Sequence, residues 1–101
     1  MTINGTTTIT GIFGYPIKHT FSPAMHNAAF KERGLDYVYT PFEVHPKNLK
    51  TAVASVKALS LRGINVTVPH KSAVIPFLDR LDPLAKMIGS VNTIVNTADH
   101  L

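Results

Sequence analysis

The sequence predicts an α/β domain, a three-layer sandwich in which helices cover both faces of a mostly parallel sheet. Three observations carry this. Short runs rich in β-branched residues alternate with helical patterns, and Gly and Pro punctuate the junctions. The 101 residues, 45% apolar and 16% charged, suffice for one packed core and are too few for two domains of ordinary size.

Thr8 to Gly14 (TITGIFG) reads as the first strand, closed by Gly14-Tyr15-Pro16. A helix is expected from Thr20 to Gly34, with Ser22 as N-cap, Pro23 at the first helical position and Gly34 as the stop. Asp36 to Val44 reads as a second strand, and Pro41, which has no N–H for a ladder, assigns it to the sheet edge. After His45-Pro46, the apolar residues Leu49, Ala52, Val53, Val56 and Leu59 fall on one helical stripe, with Lys47, Lys50 and Lys57 outside it. Gly63 to Val68 is the third strand, stopped by Pro69. Lys71 to Ile88 reads as helical pieces broken at Pro76 and Pro83, and Ser90 to Asn96 as a fourth strand. Helices between strands imply parallel pairing, and ligands of such sheets sit beyond the carboxyl ends of the strands.

Composition narrows the function classes. Cysteine is absent, which removes disulfides and thiolate metal sites and suits a reducing compartment. Met1 to Gly14 lacks a basic start followed by an apolar stretch, and the longest apolar run, Ala73 to Leu78, is interrupted by Pro76, so a cytoplasmic protein with no membrane partner is expected. The net charge of +4 comes from ten Lys and Arg scattered from Lys18 to Lys86 without a run, a poor footprint for nucleic acid and compatible with a small anionic ligand. His19, His26, His45, His70 and His100 include no i, i+4 pair, so no metal site is expected.

Three clusters carry candidate chemistry. In Asn65-Val66-Thr67-Val68-Pro69-His70-Lys71, the period of two places Ile64, Val66 and Val68 on one face. Asn65 and Thr67 share the other, about 6 to 7 Å apart, where two polar side chains need either neighbouring backbone or a ligand as partners. Lys71 follows the strand where a helix starts; it is either a solvated lysine or a cleft ammonium able to exchange a proton. In His19-Thr20-Phe21-Ser22-Pro23, the two hydroxyls beside free helix N–H groups suit a carboxylate, although Ser22 would cap the helix in any case. In Gly89-Ser90-Val91-Asn92-Thr93, the Asn92 amide offers donors and an acceptor to a hydroxylated ligand, and equally fits an ordinary turn.

Together these segments resemble the shikimate dehydrogenase family. Gly14 to Pro23 with His26-Asn27 matches its G-x-P-I-x-H-S-x-S-P-x-x-H-N opening, Gly63 to Lys71 its G-x-N-V-T-V-P-x-K element, and Gly89 to Thr93 its G-A-V-N-T element with Ser90 for alanine. The resemblance spans essentially the whole chain. It implies the substrate-binding domain of an enzyme that reduces 3-dehydroshikimate to shikimate with NADPH. Thr20 and Ser22 would hold the substrate carboxylate, Asn65, Thr67, Lys71 and Asn92 would meet the ring hydroxyls, and Lys71 would be catalytic. Thr20 stands where the family usually has serine, keeping the hydroxyl and adding a methyl.

The family's partner aspartate, in a G-x-N-T-D-G element, has no match: Asn96-Thr97-Ala98-Asp99 lacks the glycine and is interrupted by Ala98, so Asp99 receives no role. No G-x-G-x-x-G fingerprint occurs either, so NADP is implied by the resemblance without a binding domain in these residues. The alternatives are a quinate/shikimate dehydrogenase and, from another class, a non-catalytic polyol-acid binding or regulatory domain. A homodimer is an open expectation.

Overall fold

The computed structural model describes residues 2–97. In chain order the elements are β1 (Thr8–Gly14), α1 (Ser22–Glu32), β2 (Tyr37–Glu43), a 3-10 turn (Pro46–Asn48), α2 (Leu49–Ala58), β3 (Gly63–Val66), α3 (His70–Ala73), a second 3-10 turn (Ile75–Phe77), α4 (Pro83–Ile88) and β4 (Thr93–Val95). One four-stranded sheet runs β2-β1-β3-β4. β1 pairs parallel with β2 and with β3, while β3 and β4 are antiparallel. The sheet is therefore mostly parallel, and β4 departs from the rule expected of it.

Helices lie on both faces. On one, Phe30 of α1 packs on Ile12, Ile17 and Tyr39. On the other, Leu49, Val53 and Val56 of α2 pack with Phe13, Ile64, Val66, Val74 and Ile94. Alternation in β1 sends Ile12 to the first face and Phe13 to the second. Phe13, Val53, Val56, Ile64 and Val74 are all fully buried, each contributing roughly 1.5 to 3 kcal/mol of transfer free energy. Phe13 also meets Phe42 edge-on at 5.8 Å.

β2 is an edge strand, as Pro41 requires, and its outer side is partly satisfied by a side chain. The Asn27 amide of α1 donates to the Tyr39 carbonyl at 2.9 Å and accepts from the Tyr39 N–H at 2.8 Å, imitating a neighbouring strand. α1 ends as the sequence predicts, with Gly34 at φ 67°.

Four local expectations are corrected. Ser22 is the first helical residue and not the cap: Phe21 holds the cap position and its side chain makes no capping hydrogen bond. Leu59 is 66% exposed, because α2 stops at Ala58 and Ser60 takes φ 55°, turning the chain off the helical stripe. Val68 is 65% exposed, because β3 ends at Val66 and face alternation ends with it. Pro83 opens α4 and does not break it, since its missing N–H falls where a helix needs none.

Candidate functional site

Thr20, Ser22 and Thr67 line one cavity of about 310 Å³, together with Ile12, Pro16, Ile17, Lys18, His19 and Val68. Larger cavities exist at α4 and β4 (about 370 Å³) and between α2 and the second 3-10 turn (about 430 Å³). The smaller one gathers three hydroxyls and a lysine onto an apolar floor, the arrangement that orients a small polar anion.

Each hydroxyl is positioned by its own local device. The Thr20 oxygen accepts the Ser22 N–H at 3.3 Å, which leaves its O–H free to donate outward. Thr20 thus has a structural duty that the sequence did not disclose. Thr67 is held by its backbone, its N–H donating to Phe13 at 3.0 Å and its carbonyl accepting from His70 at 3.0 Å. Its methyl sits over Gly14, where a Cβ would lie 2.5 Å from it, so the close approach requires a glycine.

Asn65 lines a neighbouring cavity of about 160 Å³ with Thr10, His26, Tyr39 and Thr93. Its Oδ1 accepts from the Tyr39 hydroxyl at 2.7 Å and its Nδ2 donates to Thr93 Oγ1 at 3.1 Å. Burial pushes the Tyr39 phenol above its ordinary value, and a hydrogen bond with the Ser22 side chain partly opposes this. The phenol is therefore neutral at physiological pH, and its hydroxyl proton is directed at Asn65.

Lys71 and Asn92 line neither cavity. Their backbones are nevertheless drawn to the same end of the sheet: Val91 N–H donates to the Lys71 carbonyl at 2.8 Å, and Val66 N–H to the Asn92 carbonyl at 2.7 Å. Lys71 is half-buried and Asn92 exposed. Lys71 lies in a four-residue helix, too short to contribute an appreciable dipole.

Sequence reasoning missed two residues. Tyr39 showed only as an aromatic in a strand, and its reach across the sheet depends on the register. His70 is fully buried, with Nε2 donating to the Val44 carbonyl at 2.6 Å and Nδ1 unpartnered among the described residues. It pins α3 to the end of β2. No group of three His, Cys, Asp or Glu among the described residues could hold a metal, and no helix there is long and apolar enough to cross a membrane. Asp99 and His100 lie outside the described residues.

The family model for the shikimate dehydrogenase substrate binding domain matches residues 12–94. The chain belongs to that family. A shikimate dehydrogenase (NADP(+)) of Desulforamulus reducens is 60% identical over 99 residues, covering 98% of this chain and 34% of its own length. The crystal structure of a shikimate dehydrogenase in complex with NADP+ superposes with a TM-score of 0.94 at 48% identity, over 98% of this chain and 34% of that one. The shikimate 5-dehydrogenase of Listeria monocytogenes, crystallised with shikimate and NAD, gives 0.91 at 48% identity, over 95% and 33%. The chain spans about a third of the length of the relatives it matches. Among the described residues none fits a nucleotide loop: Gly11 and Gly14 are buried inside β1, where Cβ atoms would strike Thr40 and Phe42, or Thr67 and Ile17.

Proposed function

We propose that this chain is the shikimate-binding part of an NADP-dependent shikimate dehydrogenase, which reduces 3-dehydroshikimate to shikimate. The observation that carries the reading is the convergence of Thr20, Ser22 and Thr67 on one small cavity whose rim includes Lys18. Thr20 donates its free O–H to the substrate carboxylate, and Ser22 contributes the second hydroxyl at that end. Thr67, Asn65 and Asn92 meet the ring hydroxyls. Lys71 supplies positive charge and a proton to the ring oxygen as the carbonyl becomes a hydroxyl. NADPH, the reductant of that reaction, is assigned to the part of the longer enzyme beyond these residues. A cytoplasmic location and a homodimer complete the reading.

Titrating the purified chain with shikimate while following amide chemical shifts tests it. Shifts should move around Thr20, Ser22, Asn65 and Thr67, and unperturbed spectra at millimolar shikimate would refute it. Quinate, added in parallel, separates the quinate/shikimate alternative, and sedimentation gives the assembly state. The chain alone should leave NADPH unoxidised in the presence of 3-dehydroshikimate, because holding reactants together is worth roughly 7 to 11 kcal/mol of barrier and none of the described residues forms a cradle for the nicotinamide. Oxidation above background would overturn the assignment of NADPH to other residues.

A further inference from the structure

We propose that Tyr39 is a positioning residue for the ligand site, a strut that fixes the orientation of the Asn65 amide from two strands away. This rests on the shikimate-binding reading and goes beyond it.

Tyr39 belongs to the edge strand β2 and Asn65 to β3, with β1 between them. Tyr39 stands opposite Thr10 of β1, and Asn65 opposite Ile12. Adjacent strands are roughly 4.8 Å apart, so the phenol must lie across β1 to reach the amide. It does so in a dry setting: Tyr39 is 4% exposed and packs with Ile12 and Ile17.

Three contacts prevent the ring from moving. The Asn27 amide clamps the Tyr39 N–H and carbonyl together. The His26 ring stacks on the phenol with centroids 4.1 Å apart and planes 12° from parallel. At the far end the hydroxyl donates to Asn65 at 2.7 Å. His26 and Asn27, which have no place in the substrate contacts proposed above, thereby gain a role in holding the strut.

The consequence for Asn65 follows from its hydrogen-bond inventory. The amide has two donors and one acceptor oxygen. Tyr39 occupies one of the oxygen's two lone pairs and Thr93 one N–H, so one N–H and one lone pair remain, in fixed directions, for a ligand hydroxyl. Without the phenol, the amide is held at the Thr93 end alone and can rotate.

The test is Tyr39→Phe, which retains the ring, the stack and the backbone clamp. In the ligand-free chain the Asn65 side-chain amide resonances should shift. Shikimate affinity should fall about tenfold, the size expected for misdirecting one hydrogen-bonding group. In the full-length enzyme KM should rise by a similar factor while kcat changes less than about twofold. In an Asn65→Ala background, Tyr39→Phe should have no additional effect on affinity, because the strut acts through that amide.

Unchanged affinity and unmoved Asn65 resonances in Tyr39→Phe would overturn the inference while leaving the binding reading intact. Wild-type protein that ignores millimolar shikimate would overturn both. Should Tyr39→Phe fail to fold, His26→Ala removes the ring stacked on the phenol at an exposed position, and unmoved Asn65 side-chain resonances with unaltered shikimate affinity there would equally overturn the strut.

Discussion

Gly14→Ala is the sharpest perturbation of the site that touches no hydroxyl. A Cβ on Gly14 would lie 2.5 Å from the Thr67 methyl and 2.7 Å from the Ile17 δ carbon. Ordinary carbon contacts are about 3.5 to 4.0 Å, so each group must retreat by roughly 1 Å. Ile17 can yield through a flexible chain end. Thr67 cannot shift its backbone without breaking two 3.0 Å hydrogen bonds, so it must turn about χ1, and the hydroxyl turns with the methyl. Overpacking of this kind costs about 1 to 3 kcal/mol of stability, and loss of the aligned hydroxyl should weaken shikimate binding about tenfold. Urea unfolding and shikimate titration measure the two effects separately. Thr67→Ser on the Gly14→Ala background removes the struck methyl and retains the hydroxyl, so it should recover most of the affinity. Gly5→Ala, with nothing within 4 Å of the new carbon, is the control. Gly14→Ala with wild-type stability and wild-type affinity would refute the account of how Thr67 is held.

Asn27→Ala should destabilise the fold by about 1 to 3 kcal/mol in urea unfolding, because two backbone groups of Tyr39 lose their partner. Tyr39 makes stability fall at high pH: its folded value is raised above 10.0 by burial, so its contribution is fully present below that pH and is lost as pH rises through the folded value. Urea midpoints across pH 8 to 11 should show that loss in wild type and a smaller one in Tyr39→Phe. In the full-length enzyme, Lys71→Ala should lower kcat by on the order of a hundredfold with little change in KM, and a raised KM with unchanged kcat would make Lys71 a binding group only.

The sequence disclosed elements well where side-chain chemistry decides them locally. β1 runs from Thr8 to Gly14 as read, the stop at Gly34 follows from its positive φ, and Pro41 marks an edge strand. Boundaries failed where geometry beyond the local pattern decided them, as at Leu59, Val68 and Ser22. That Thr20, Ser22 and Thr67 would stand together was legible, because segments following two parallel strands, β1 and β3, emerge at the same end of the sheet. Tyr39 and His70 were not, because their partners are 26 residues away in each case and no local pattern reports such a pairing.

The antiparallel β4 bears most directly on the site. Asn92 precedes its strand, and in a wholly parallel sheet a residue before a strand lies at the amino end, opposite the ligand crevice. Because β4 runs against β3, with Gly63 paired to Val95 and Asn65 to Thr93, the start of β4 coincides with the carboxyl end of β3. The two backbone bonds from Val91 to Lys71 and from Val66 to Asn92 close that corner. Residues after β1, after β3 and before β4 then stand at one edge of the sheet, which a reading of Asn92 as a ligand group requires and a uniform parallel sheet could not supply. A reversed strand of three residues, Thr93–Val95, is enough, because it need only turn the chain back past Lys71 and hold it there.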